Sequence, residues 1–387
     1  MKPSLTIFTS SLIVLMIGTL RSQTTTRRAE RPFEPFRQKA LDWLLAQQKD
    51  GLWMVPGRGG ELVAEPGISA LCLGALASKP ARLRSSKETR ILHAGIDHLL
   101  AFQKRSEDGS FSSRLPNYVT CAAVMVLAEV DRPGVKEALE KAQKYLLMIQ
   151  NIESTGTARS DKDYGSIGYG SGRRGDLSNT QMAIDALRAT GLDAQDEAIE
   201  KALVFLRRVQ NLPGKDAYHG SRVTEDGRKV EVLPGSDGGA QYYPGGSTAG
   251  YDETAEGAHI PRSYGTMTYA LLKCYVLAGL PADDPRLKAA LNWCVGHFTL
   301  EVNPGSKPEL GEKARYQGLY YYYLTLSRAL KLAGVNEVNG KDWRKKLRAK
   351  LRKEQNDKGF WVNKRNGRWW ENNPTLCTAY ALLALAQ

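Results

Sequence analysis

"QNDKGFW" occupies residues 355–361, and "QQKDGLW" occupies residues 47–53 near the other end of the chain. Each phrase closes a charged, amphipathic stretch, "LRAKLRKEQ" at 347–355 and "RQKALDWLLAQ" at 37–47. Related stretches lie between them. They read "HAGIDHLLAFQKRSEDGSF" (93–111), "EKAQKYLLMIQN" (140–151), "EKALVFLRRVQN" (200–211) and a decayed copy, "LKAALNWCVGHF" (287–298). Apolar residues recur at helical spacing, as in Tyr145, Leu146 and Ile149, with charges between them. Most copies run on through Gln to a Gly and an aromatic, such as Gly51 and Trp53, Gly109 and Phe111, or Gly359 and Trp361. The Gly permits a sharp turn, and the Gln side chain can satisfy backbone groups there. Gln47 and Gln355 are expected at one equivalent position of the first and last copies.

A second, less charged helix follows each copy: "PGISALCLGALAS", "NYVTCAAVMVLAE", "DLSNTQMAIDALRATG", "SYGTMTYALLKCYVLAG", "GLYYYYLTLSRALKLAG" and "NPTLCTAYALLALAQ". Ser69, Thr120, Thr180 and Thr378 stand at comparable places in four of them. Their lower charge predicts burial on more sides. The chain therefore reads as six helical hairpins, each unable to bury its apolar face without neighbours.

These phrases are similar to the repeat of squalene–hopene cyclases, and to a shorter form in protein prenyltransferase β subunits. The similarity extends over nearly everything after residue 36. It is strongest at Lys39–Trp53, His93–Phe111, Gly165–Leu187 and Gln355–Leu385. Periodicity alone allows an open solenoid. The resemblance implies closure into an all-α, α/α toroid (α6/α6 barrel), with six inner helices ringed by six outer ones, spanning 36–387.

The resemblance also implies chemistry whose motifs are missing. Class II cyclases protonate an alkene with an Asp-x-Asp-Asp acid, and no such motif occurs. Prenyltransferase β subunits hold zinc through Asp-x-Cys and a distant His. Asp-x-Cys is absent, and Cys294 with His297 has no evident third ligand. The Cys-Gly-Glu-Gln strand of complement-type thioester domains is absent too. No metal or cofactor is expected.

The barrel mouth, where inner helices begin, is instead rich in polar and aromatic residues. A long insertion at 213–264 carries Tyr242, Tyr243, Tyr251, Asp252, His259, Arg262 and Tyr264. The turn at 169–176 adds Tyr169, Arg174 and Asp176, and the segment from 315 adds Arg315 and Tyr316, with Tyr320 and Tyr323 on one helical face. All three lead into inner helices of neighbouring repeats and should meet on one rim. Asp176, Arg262, Tyr264 and Tyr316 are the expected ligand-binding residues. Asp252 and His259 are the pair for proton transfer near neutral pH if the chain is an enzyme. Read as scaffolding, Asp176 is a helix cap and the tyrosines fill a wide barrel.

The first residues read as a leader. Lys2 precedes an apolar run from Leu5 to Leu20, giving a signal peptide or uncleaved N-terminal anchor at 1–22 and a linker at 23–35. No later segment is apolar for long enough to span a membrane, so a secreted or periplasmic body is expected. The net charge of +13 suits an anionic partner or plain solubility. Nucleic acid is not expected; an isoprenoid or an envelope glycan at the mouth is. Cys72, Cys121, Cys274, Cys294 and Cys377 lie mostly in apolar runs and read as buried free thiols. The expected function is an exported toroid that binds a ligand at its mouth. The alternative is an enzyme on the same toroid, a terpenoid cyclase, prenyltransferase or polysaccharide-cleaving enzyme, using the Asp and His of the insertion.

Overall fold

The computed structural model describes residues 33–56, 60–112 and 114–387. The expected leader and nearly all of the linker fall outside these residues. Twelve α-helices among the described residues pair as α1 (Pro35–Ala46) with α2 (Pro66–Ala77), α3 (Ser86–Lys104) with α4 (Pro116–Leu127), α5 (Val135–Met148) with α6 (Leu177–Ala189), α7 (Glu197–Val209) with α8 (Gly265–Leu277), α9 (Pro285–Gly296) with α10 (Leu319–Leu332), and α11 (Trp343–Glu354) with α12 (Pro374–Leu385). The even-numbered helices form the inner ring. Each packs on the next, and α12 returns to pack on α2. The barrel is therefore closed.

The sequence repeat is the device that joins the hairpins. Gln150 Nε2 donates to Gly165 O at its own turn and to Ala198 O of the next outer helix, 3.0 and 2.9 Å away. Gln103 does the same with Gly109 O and Ala138 O, and Gln210 with Gly238 O and Arg286 O. Gln355 completes the series by donating to Gly359 O and, across the seam between last and first repeats, to Phe36 O at 2.9 Å. The glutamines of the first repeat bond differently, and Gln47 is not equivalent to Gln355. Gln47 only bonds back to Trp43 O, while Gln48 Oε1 accepts from the Gly51 amide.

The turn glycines have positive φ and press on the following outer helix. A Cβ on Gly165 (φ +83°) would lie 1.9 Å from Lys201 O, and one on Gly359 (φ +102°) 2.8 Å from Lys39 O. Only glycine combines that backbone with that approach. The residue after each turn is pinned to the inner helix by the recurring hydroxyl. Trp53, Phe111, Ile167, Ala240 and Trp361 amides donate to Ser69, Thr120, Thr180, Thr268 and Thr378. The indoles of Trp53 and Trp361 donate to Leu44 O and Leu351 O, each at 2.8 Å.

Strand is confined to connections: β1–β3 (Gln48–Lys49, Leu52–Pro56, Leu62–Ala64), β4–β7 (Gly220–Val223, Lys229–Val232, Tyr251–Glu253, His259–Pro261) and β8–β9 (Glu337–Val338, Lys341–Asp342). The insertion folds as a sheet in the order β4-β5-β7-β6, with β5 and β7 parallel. All five cysteines are free and buried. No helix among the described residues is long and apolar enough to cross a membrane.

Candidate functional site

Inner helices all begin at one end of the barrel, so their unpaired amides gather at that mouth. Alternate helices satisfy them with carboxylates. Glu65 accepts from Ile68 N at the start of α2, and Asp176 from Asn179 N at the start of α6, both at 2.8 Å. Glu371, from the loop before α12, reaches over to accept from Tyr320 N and Tyr321 N of α10, at 2.9 Å each. Asn303 and Asn373 supply the same service to α8 and α12. Helix N-termini favour the negative charge, but all three carboxylates are buried, and burial disfavours it. Burial dominates: it raises Asp176 to about 6 and Glu371 to about 7, against the hydrogen bonds that Asn179, Asn363 and the backbone donate to them. Glu65 is raised for the same reason.

Below the mouth lies a cavity of about 750 Å³. Its walls include Ile68, Leu71, Val119, Met182, Leu324 and Leu376, all from inner helices. Several of the polar groups that line it are linked. Tyr118 donates to Ser178 Oγ at 2.7 Å, Ser178 Oγ lies 2.9 Å from Tyr321 Oη, and Gln181 Nε2 donates to Tyr321 Oη at 2.6 Å. Gln181 Oε1 is buried without a partner. Tyr169 and Tyr242 hydroxyls meet at 3.3 Å. The Asp176 charge adds to burial in raising Tyr118, Tyr242, Tyr264 and Tyr321. At the rim, Trp369 and Trp370 are 50% and 40% exposed. Both have left-handed backbone, φ +62° and +64°, an arrangement that non-glycine residues adopt at an energetic penalty.

The three predicted mouth segments do come together. Leu177 N donates to Tyr242 O, and the Arg174 guanidinium sits 3.9 Å from the Tyr243 ring centroid. Lys307 N donates to Ala249 O, and Asn303 N to Arg315 O. The individual residues are distributed differently from the sequence expectation. Tyr264 is in the cavity wall and Asp176 caps α6 beside it. Tyr316 is buried, its carbonyl accepting from Asn363 and its ring under Arg365. Arg262 ties β7 to Gly305 O and pairs with Asp252. Asp252 faces Ile260 across the β6–β7 ladder, whereas His259 faces Glu253. Since side chains alternate along a strand, Asp252 and His259 project from opposite faces of this sheet. His259 Nδ1 lies 3.0 Å from the Arg222 guanidinium.

On α10 the tyrosine that faces the cavity is Tyr321. Tyr320 and Tyr323, expected at the mouth, are packed away, with Tyr323 donating to Leu300 O. Sequence reasoning also passed over Tyr118, Gln181 and Glu371. Glu371 caps a helix from a distant loop and has no local signature. Among the described residues no group of three or more His, Cys, Asp or Glu side chains could hold a metal ion.

No family model matches the chain, and no curated protein matches it by sequence. Solved structures do resemble it. The GH76A α-1,6-mannanase of Salegentibacter is 10% identical with TM-score 0.53, over 91% of this chain and 99% of that one. The apo type II terpene cyclase MstE of Scytonema is 14% identical with TM-score 0.49, over 91% and 96%. The family 76 glycoside hydrolase (mannosidase) Bt3792 of Bacteroides thetaiotaomicron is 12% identical with TM-score 0.49, over 90% and 97%. At such identities likeness speaks to fold alone. With the closed double ring of helices, the likeness to the mannanase shows that this chain has an α/α toroid fold.

Proposed function

We propose that this protein is a ligand-holding toroid that takes an apolar or amphipathic molecule of isoprenoid type into its barrel. The carrying observation is the cavity of about 750 Å³, within the ~300–1,000 Å³ range of small-molecule sites. Most of the surface its wall exposes is apolar, from aliphatic, Met and aromatic side chains, which suits a hydrocarbon better than a sugar. The buried carboxyls argue against alkene protonation. Asp176 and Glu371 accept hydrogen bonds on both oxygens, so these atoms are engaged as helix caps. Export, proposed from Lys2 and the Leu5–Leu20 run, would make the ligand a cell-envelope or extracellular molecule.

A second reading, a glycan lying on the rim, is favoured by the exposed Trp369 and Trp370, since such rings stack on sugars. The test is equilibrium binding by intrinsic fluorescence with geranylgeraniol and with mannotetraose, followed by extraction and mass spectrometry. Geranylgeraniol should bind and be recovered unchanged. Recovery of a cyclised product would establish an enzyme instead. Binding of mannotetraose alone would transfer the site to the rim.

A further inference from the structure

The recurring hydroxyl of the inner helices sets a common register. Five residues after Ser69, Thr120, Thr180, Thr268 and Thr378 stand Gly74, Met125, Asp185, Lys273 and Leu383. Arg328 holds the corresponding place on α10, since its guanidinium reaches both Asp185 and Met125. All six border the cavity. They therefore form one belt around the barrel, apolar on α12, α2 and α4 and charged on α6, α8 and α10. The belt lies well down from the mouth. Asp185 and Lys273 are each the ninth residue of their helices, about 12 Å along at 1.5 Å per residue.

The charged half is unbalanced. Lys273 Nζ and Arg328 Nη2 converge on a single oxygen, Asp185 Oδ2, at 2.7 and 3.0 Å. Two cations against one carboxylate leave a net charge of +1 (2 − 1) in the barrel wall. Lys273 and Asp185 are buried, and Arg328 is half-buried. An ammonium and a guanidinium offer eight N–H donors between them, and a carboxylate cannot occupy them all. Burial also holds the Lys273 ammonium below its ordinary pKa, against the pull of Asp185. The charges of Arg328 and Lys273 outweigh burial at Asp185 and keep it ionised. The apolar half opposite leaves room, because Gly74 presents no side chain.

We infer that Lys273 and Arg328 receive the anionic end group, carboxylate or phosphate, of an amphiphile whose hydrocarbon chain lies along the cavity toward the mouth. This rests on the ligand-holding reading above and narrows its ligand class. The structural alternative is that the two cations merely balance Asp185 and the partial negative charge at the inner-helix C-termini.

The test compares hexadecanoate, hexadecyl phosphate, hexadecanol and inorganic phosphate on the whole protein, by equilibrium binding. Hexadecanoate and hexadecyl phosphate should bind at least about tenfold more tightly than hexadecanol, the scale of a charge-assisted hydrogen bond. Arg328→Met, which leaves the Asp185–Lys273 pair intact, should remove most of that preference and leave hexadecanol within about twofold. Arg328→Lys should keep it. Thermal unfolding of each variant checks that it is folded. Equal binding of acid and alcohol to the wild type, or an undiminished preference in Arg328→Met, would overturn the anion site while the cavity reading stands. Inorganic phosphate binding as tightly as hexadecyl phosphate would overturn the amphiphile. Failure of both hexadecanol and hexadecanoate to bind would remove the cavity reading and this inference together.

Discussion

Replacing Gln355 by Ala tests whether the ring is closed by the same clasp that joins its interior repeats. The side chain donates to Gly359 O at 2.7 Å and to Phe36 O at 2.9 Å. The second bond spans the seam between the last and first hairpins. A hydrogen bond of this kind contributes about 1 kcal/mol net, and a buried carbonyl left unmatched costs about 1–3 kcal/mol. Gln355 is half-buried, so water can reach part of the gap, and a loss of about 2 kcal/mol is expected. Gln150, fully buried with the equivalent two bonds, should lose about 2–4 kcal/mol on the same change. Urea unfolding followed by circular dichroism measures both, with unchanged m-values as the sign that the denatured state is unaffected. In an open solenoid the terminal Gln would have no partner beyond its own turn. A loss below about 0.5 kcal/mol for Gln355→Ala, beside a full loss for Gln150→Ala, would refute closure through this clasp.

Gly165→Ala should lose about 3 kcal/mol or more, because positive-φ strain adds to a Cβ placed 1.9 Å from Lys201 O; denaturant unfolding within 1 kcal/mol of wild type would contradict that contact. Glu371 is raised from 4.5 to about 7, so the folded state holds its proton more tightly than the unfolded one and stability falls as pH rises from about 4.5 to 7. That is worth up to about 3 kcal/mol, and Glu371→Gln should flatten this part of the stability-versus-pH curve, whereas an unchanged slope would show that Glu371 is not the buried acid. The five thiols are buried, with burial raising Cys72, Cys121, Cys274, Cys294 and Cys377 well above ordinary thiol pKa; Ellman's reagent should label them only after unfolding, and rapid labelling of any one in the native protein would contradict its placement.

The hairpins were legible in the sequence because most repeats carry their own joining chemistry. Lys39, Lys141 and Lys201 mark where a neighbour's turn glycine lands, and the Gln marks the clasp. Closure came from the family resemblance and not from the repeats themselves, because nothing local to "QNDKGFW" says that its Gln reaches Phe36. The sheet in the insertion had a sign in "VTEDGRKVEV", where Asp226-Gly227 is a hairpin turn between alternating residues. The belt of charges also had a sign: Asp185, Lys273 and Arg328 are ionisable residues inside otherwise apolar inner helices. Their convergence depends on registering three helices far apart in the chain, which the hydroxyl positions make possible only once their role as anchors is known. Asp252 and His259 were singled out for reactivity and nearness in sequence, but strand alternation separates them.

The central claim is that the barrel interior, not its rim, holds the ligand. Ala122 of α4 lies in the cavity wall, so Ala122→Phe would project a ring into the space while the outer helices and the rim tryptophans stay unchanged. Calorimetric titration of wild type and Ala122→Phe with geranylgeraniol is the direct measurement. One site per wild-type chain is predicted, weakened at least about tenfold in the folded variant. Absence of binding to the wild type, or equal affinity in both, would contradict the account.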